Sequence, residues 1–398
     1  MQRVSTLRHY VAGEQAISAQ QRELFAAQQR VATGKRIAVP ADDPIGAATG
    51  VALRSNLAQI DQFKSNQSQA RYLLGQSENA VAQFSDALMT VKEKLIAGAN
   101  GTLGDSQRQM IAVELESILA QIVGLANTSD GAGGYLFAGT REGAAPFAQS
   151  GAVVSYGGDA TAQRLEVAND RLLPAKLTGD DVFLRMRPGN GTFTTAAAAT
   201  NTGAGTIDTG GVTDPAQVTG SDYTIDFDGT QFVVTRASDG VQFNFAAGAG
   251  SNTLQFDGLQ VTVNGNPAAG DRFTVAAAGY QSIFDTMAQA IAALRTPGAD
   301  AAAVARITTA LGGAGASIDQ AIDHLSLKRA QIGAALAEVD SYAQLHESRD
   351  VEFQGRLSAV EDVDYAQAIS ELTRRQDAFT AAIKSYSSVS RLSLFDFL

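Results

Sequence analysis

Three histidines, His9, His324 and His346, are the first groups to weigh for chemistry, because a chain of 398 residues with no cysteine has no thiolate nucleophile, thiolate metal site or disulfide. His324 and His346 stand 22 residues apart, roughly 33 Å along one helix and too far to share a metal ion. The run His346-Glu347-Ser348-Arg349-Asp350 resembles the metalloprotease pattern His-Glu-x-x-His, in which two ligands one turn apart hold zinc and the glutamate is the base. Asp350 occupies the place of the second histidine and no third ligand is indicated, so the pair reads as an i, i+4 polar contact beside a helical seam. Gly34-Lys35 has Gln29 where a phosphate-cradling loop needs its first glycine, and no Gly-x-Gly-x-x-Gly occurs. The acidic pairs Asp42/Asp43 and Glu361/Asp362 could move protons, yet both lie where a helix begins or ends and read as caps. No catalytic residue, cofactor or metal is expected.

Charge narrows the partners. A formal net charge of -11 and an isoelectric point near 4.8 argue against nucleic acid, whose binding depends on Lys and Arg neutralising phosphates. An anionic membrane surface is disfavoured on the same ground, and no run approaches a membrane span. Met1 to Tyr10 is polar, with Arg3, Arg8 and His9 and no apolar stretch behind them, so a cleavable secretory signal is not expected. The protein is expected to stay inside or to leave by a route that reads no such signal.

The elements that carry these residues follow from apolar spacing. Val4, Leu7, Val11, Ile17, Leu24 and Val31 fall at or near heptad spacing, with one phase slip after Val11, and predict a helix that Gly34 ends as a C-cap. A second helix is expected from Asp42 or Asp43, with Pro44 in its first turn, to about Ile96; Leu74, Ser77, Val81, Phe84, Leu88, Val91 and Leu95 form its stripe. After a break at Gly98 to Gly104 a third helix carries Ile111, Leu115, Ile118, Ile122 and Leu125. From Gly131 a glycine-rich stretch marks a turn and a short strand. Between Gly151 and Tyr280 apolar and polar residues alternate, as in Tyr223, Ile225 and Phe227, and Asp228-Gly229, Asp239-Gly240, Asp257-Gly258 and Asn264-Gly265 supply tight hairpins. Thr192 to Thr213 has too little apolar content to pack and reads as a mobile loop.

Helix returns at Gln281, pauses at Pro297 and at Gly312 to Gly315, and continues through Ile318, Ile322, Leu325, Ile332, Leu336 and Val339. A last helix opens near Asp364 with Gln367 three residues on and ends near Leu392. In it Tyr365, Ile369, Leu372, Gln376, Phe379, Ile383 and Tyr386 alternate by four and three, a stripe that needs a partner helix. The fold class is therefore α+β and multidomain, a coiled-coil or bundle core of N- and C-terminal segments with an inserted, mostly antiparallel β domain. Residues 1–42 with 363–398 are expected to form a terminal assembly domain, 43–150 with 281–362 a helical rod with a short β element, and 151–280 the inserted β domain. The expected assembly interface is Val4, Leu7, Val11, Ile17, Leu24, Val31, Tyr365, Ile369, Leu372, Phe379, Ile383, Tyr386, Leu394 and Phe395. In an isolated molecule the two ends are expected to lack order, because their stripes have no neighbouring subunit.

Several of these residues carry a family resemblance. Arg3-Val4-Ser5-Thr6, Thr33-Gly34-Lys35-Arg36-Ile37 and Ala41-Asp42-Asp43-Pro44 look like the N-terminal signature of the flagellin superfamily. Asn100-Gly101-Thr102-Leu103, Leu125-Ala126-Asn127, Gly134 to Thr140, Ala145-Pro146-Phe147 and, near the end, Asp362 to Ala366 and Ser393-Leu394-Phe395 resemble its hook-associated protein 3 branch, the hook-filament junction proteins. The resemblance covers about residues 1 to 150 and 280 to 398. It implies a non-enzymatic axial protein, exported unfolded through the flagellar type III apparatus with a cytoplasmic chaperone and placed outside the cell. There it would assemble with copies of itself as a ring and join hook-associated protein 1 to flagellin. The alternative within the superfamily is a flagellin filament subunit.

Overall fold

Gly34 ends the first helix by taking a φ of +67° and donating its N–H to the Arg30 carbonyl at 3.0 Å. The computed structural model describes residues 6–391, and within it α1 (Thr6–Thr33) is followed by α2 (Pro44–Gly98). Asp43 caps α2, its Oδ1 accepting the Gly46 N–H at 2.9 Å. After α3 (Asp105–Ala126), the β region and α4 (Ile283–Arg295), the chain runs as α5 (Ala301–Glu361) and α6 (Tyr365–Arg391). Ser282 caps α4 through the Phe284 N–H, and Asp364 caps α6 through the N–H groups of Ala366 and Gln367.

The chain divides into two compact units, residues 1–65 with 342–398 and residues 66–341, so α2 and α5 each contribute to both. In the second unit the stripe read from the sequence of α2 is core: Leu74, Ser77, Val81, Phe84, Leu88, Val91 and Leu95 are all buried. Val81, Phe84, Leu88, Val91 and Leu95 meet Leu115, Leu119 and Ile122 of α3, Phe284 and Ile291 of α4, and Leu311, Ile318 and Leu325 of α5. Each such side chain contributes roughly 1.5–3 kcal/mol by leaving water. By length and composition α3 and α5 each contain a window long and apolar enough to cross a membrane, which corrects the expectation that no run approaches one. Ala112, Leu115, Leu119, Ile122, Val123 and Ala126 of α3 lie in this core, whereas Met110 and Val113 are exposed.

Two short hairpins, β1 (Phe147–Ser150) with β2 (Val153–Tyr156) and β3 (Arg164–Ala168) with β4 (Arg171–Pro174), belong to the same unit. Phe147 and, after β4, Val182 and Phe183 enter the helical core, where Phe183 lies 4.6 Å from Phe84 and 5.0 Å from Phe137 between ring centroids. The glycine-rich turn after α3 holds an isolated bridge, Ser129 to Tyr135, in place of the expected short strand, and buries Leu136, Phe137 and Ala138 completely.

A second core begins at Phe193. The strands β5 (Phe193–Ala197), β8 (Tyr223–Phe227), β9 (Gln231–Arg236), β10 (Gln242–Ala246) and β13 (Arg272–Ala277) form an antiparallel sheet in the order β10-β9-β8-β13-β5. A smaller antiparallel sheet joins β11 (Ser251–Phe256), β12 (Leu259–Asn264), β6 (Thr206–Ile207) and β7 (Gly211–Val212). Asp257 and Gly258, with φ of 44° and 74°, are the two positive-φ residues of the β11–β12 hairpin. Alternation along the strands sends Tyr223, Ile225, Phe232, Val234, Leu254, Val261 and Phe273 inward.

Two further readings of the sequence change. The stretch from Thr192 to Thr213 holds β5, β6 and β7, with Phe193 and Ile207 buried, because pairing to β13 and β12 supplies the burial that its own composition lacks. Gly312 to Gly315 do not interrupt α5. Each glycine costs a helix about 1 kcal/mol, and the buried Leu311, Ala314 and Ile318 around them offset that.

Candidate assembly interface

In the first unit α1 and α6 pack side by side and antiparallel. Tyr10 meets Tyr386, Glu23 meets Arg375 at 3.7 Å, and Gly34 approaches the Tyr365 hydroxyl. The protected positions of α1 include Gly13, Ile17, Gln20, Leu24, Ala27 and Val31, a 4-3 series flanked by Ala19, Ala26 and Arg30, and those of α6 include Ala368, Leu372, Arg375, Phe379, Ala382 and Tyr386. These are the spacings of a two-stranded coil. Within one chain each of these two helices supplies a partner for part of the other's stripe.

The expected interface residues whose side chains are described fall into two sets. Ile17, Leu24, Val31, Leu372, Phe379 and Tyr386 are half-buried in the seam. Val11, Tyr365, Ile369 and Ile383 stay in water, 46%, 55%, 53% and 44% exposed. The stripe drawn on α6 is thus two: Ala368, Arg375 and Ala382 complete the inner one, and hydropathy alone does not count an alanine or an arginine as seam. Val4, Leu394 and Phe395 lie outside the described residues, and so does the side chain of Leu7.

Reading the sequence missed Tyr10, which meets Tyr386, and the outward Phe25, 67% exposed. It also missed Gly13, where an added Cβ would stand 2.6 Å from the Tyr386 ring. A glycine inside a helical pattern is a signal of such close approach.

The connectors at the base of the pair fasten to each other. Arg36 donates its N–H to the Glu361 carbonyl at 2.6 Å and Val363 donates to the Gly34 carbonyl at 2.9 Å. Lys35 Nζ reaches Asp362 Oδ1 at 2.7 Å and Glu361 Oε2 at 3.5 Å, and Arg54 reaches Glu361 Oε1 at 2.9 Å. Arg36 also donates to the Val360 carbonyl and to Asp43. The hydrogen bond from Lys35, then that from Ser358, holds the Asp362 carboxyl below its ordinary range, and the Asp362 contact raises the Lys35 ammonium. The Asp43 carboxyl is lowered by the Gly46 N–H and then by Arg36, that of Asp42 by the N–H groups of Val39 and Ala38. The acidic pairs that could have moved protons are occupied as caps and as this clasp.

Beyond the clasp, the first part of α2 and the last part of α5 bury Leu53, Ile60, Phe63 and His346. The His346 ring stacks on Phe63 with centroids 5.2 Å apart. Asp350, one turn on, contacts Lys64, which also holds Glu347 at 2.9 Å. Among the described residues no group of three or more His, Cys, Asp or Glu side chains is placed to hold a metal ion. Ile45, Val51 and Val351 of these two helices are strongly exposed. What the arrangement offers chemically is apolar surface on paired helices, the kind that other helices cover.

Known proteins share this arrangement. The bacterial flagellin N-terminal helical region matches residues 4–142, and the D2-like domain of flagellar hook-associated protein 1 matches residues 196–277. Flagellar hook-associated protein 3 of Escherichia coli K12 is 25% identical over 394 residues, 99% of this chain and 98% of that protein. The crystal structure of Xanthomonas campestris FlgL is 32% identical with a TM-score of 0.71, covering 77% of this chain and 99% of that one. That of hook-associated protein 3 from Legionella pneumophila is 26% identical with a TM-score of 0.73, covering 78% and 98%.

Proposed function

The chain belongs to the flagellar hook-associated protein 3 (FlgL) family, and we propose that it is a non-enzymatic junction piece of the bacterial flagellum, joining hook-associated protein 1 to the flagellin filament. One observation supports this most: the α1–α6 pair covers the inner side of each helix yet leaves Val11, Phe25, Tyr365, Ile369 and Ile383 in water. Apolar residues left outward along a helical pair gain free energy only when another surface covers them. In this reading the covering surfaces are copies of the same chain and of hook-associated protein 1 and flagellin, arranged as a ring outside the cell. The chain reaches that place unfolded through the type III route with a chaperone.

The proposed division of labour follows. Residues 1–42 with 363–398 assemble, 43–150 with 281–362 form the helical support, and 151–280 present a β domain outward. The test separates the outward face from the inner seam. Phe25→Asp, Ile369→Asp and Ile383→Asp together leave the helical content of the purified chain unchanged, and electron microscopy of cells carrying the variant shows hooks without filaments. Swimming cells with intact flagella overturn the reading, and long filaments grown from the purified chain alone turn it to a flagellin-type subunit.

A further inference from the structure

The second unit buries a primary amine for which assembly has no use. Lys176, two residues after β4, is 2% exposed, and its Nζ lies 2.7 Å from Asp130 Oδ2 and 2.5 Å from Glu142 Oε1. Asp130 is 6% exposed, and its other oxygen, Oδ1, accepts the N–H groups of Ala132 at 2.8 Å and Gly134 at 2.9 Å. An amine, a carboxyl in contact with it, a second carboxylate on the same nitrogen and two N–H donors on one carboxyl oxygen are the parts of an acyl transfer. We propose that Lys176 and Asp130 join through an intramolecular amide bond that the folded chain forms by itself, with Glu142 carrying the protons.

The step balances without any outside reagent. Lys176 Nζ gives a proton to Glu142, which passes it to Oδ2 of Asp130, and the freed electron pair of the nitrogen attacks Cγ of the neutral carboxyl. The negative charge of the tetrahedral intermediate collects on Oδ1, facing the N–H groups of Ala132 and Gly134. Glu142 then takes a second proton from the nitrogen and delivers it to Oδ2, so that the C–Oδ2 bond breaks and Oδ2 leaves as water. An ammonium and a carboxylate become one amide and one water, with no oxidation or reduction. Held contact replaces the encounter of two free groups, which is where most of the acceleration arises.

The resting state is an ion pair. Burial draws both groups toward their neutral forms, but the Lys176 contact and the two N–H groups still hold the Asp130 carboxyl below its ordinary range, and the two carboxylates hold the Lys176 ammonium above its own. The neutral pair is therefore a minor form, and the bond accumulates slowly once the chain is folded. It would tie the turn after α3 to the segment that delivers Phe183 to the core, across 46 residues of sequence.

Intact mass spectrometry of the purified full-length chain, freshly folded and after days at neutral pH, decides the matter. The expected result is a species lighter by one water molecule, with a protease fragment in which the peptides of Asp130 and Lys176 stay joined under denaturant. Glu142→Gln keeps both partners and slows the loss, and Lys176→Arg keeps the cation and abolishes it. A wild-type chain that retains its full mass overturns the proposal. So does a water loss that persists in Lys176→Arg, which would be an imide at Asp130-Gly131.

Discussion

Tyr386 sets its ring edge-on to that of Tyr10, centroids 6.2 Å apart and planes at 86°, over the bare backbone of Gly13. The contact ties the beginning of α1 to the end of α6, and it exists because residue 13 has no side chain. Gly13→Leu drives the Tyr386 ring out and costs the helix pair about 1–3 kcal/mol, the usual scale for overpacking. Circular dichroism on heating reads this as an earlier loss of helix, with the melting of the second unit unchanged.

Gly34 is the matching constraint at the other end of the pair. Its φ of +67° disfavours any side chain, and an added Cβ would stand 2.6 Å from the Tyr365 hydroxyl. Gly34→Ala costs roughly 1–2 kcal/mol for the left-handed backbone alone. Combining it with Tyr365→Phe restores only the part due to the hydroxyl. Chemical denaturation of the three variants separates the two contributions.

His346 makes the first unit sensitive to mild acid. Burial, and then the positive charges of Arg349 and Lys64, lower its imidazole from the ordinary 6.5. The unfolded chain therefore takes up the proton first, and stability that is intact above about pH 6.5 is lost as the pH falls below it. Lys64 is meanwhile held by Glu347 and Asp350, and the Asp350 carboxyl is itself lowered, so that contact fails only in stronger acid. Denaturant midpoints measured at pH 7.5 and 5.5, pH values spanning the ordinary imidazole range, fall for the wild type. They stay level for His346→Phe, which keeps a ring against Phe63.

Phe183 is 1% exposed and touches four aromatic rings, those of Phe84, Phe137, Phe147 and Phe284. Phe183→Ala empties the meeting point of helices and hairpins and costs about 3–5 kcal/mol. Calorimetry shows it as a lower melting temperature for the second unit.

Much of the fold was legible from spacing. The stripe from Leu74 to Leu95 is core because a long helix buried along one face repeats its apolar residues at fixed spacing, with Ser77 tolerated because its hydroxyl bonds the Leu73 carbonyl. The caps at Asp43, Asp364 and Gly34 were legible because free N–H groups and left-handed backbone each select few residue types. What was hidden depended on partners distant in sequence. Ile207 is buried by β12, Gly313 is carried by a packed helix, and Lys35 finds Asp362 across 327 residues. On α6 the assembly stripe was half legible: Leu372 and Phe379 face inward and Ile369 and Ile383 face outward, a split that a count of apolar residues cannot make.

The clasp between Lys35 and Asp362 also fixes when α1 can be completed. Its counterpart lies at the far end of the chain, so a molecule made or delivered end-first has no partner for α1 until nearly every other residue is present. Closing so long a loop carries an entropic cost that grows slowly with its length, and a chain cut short anywhere before α6 never presents α1 with its partner helix.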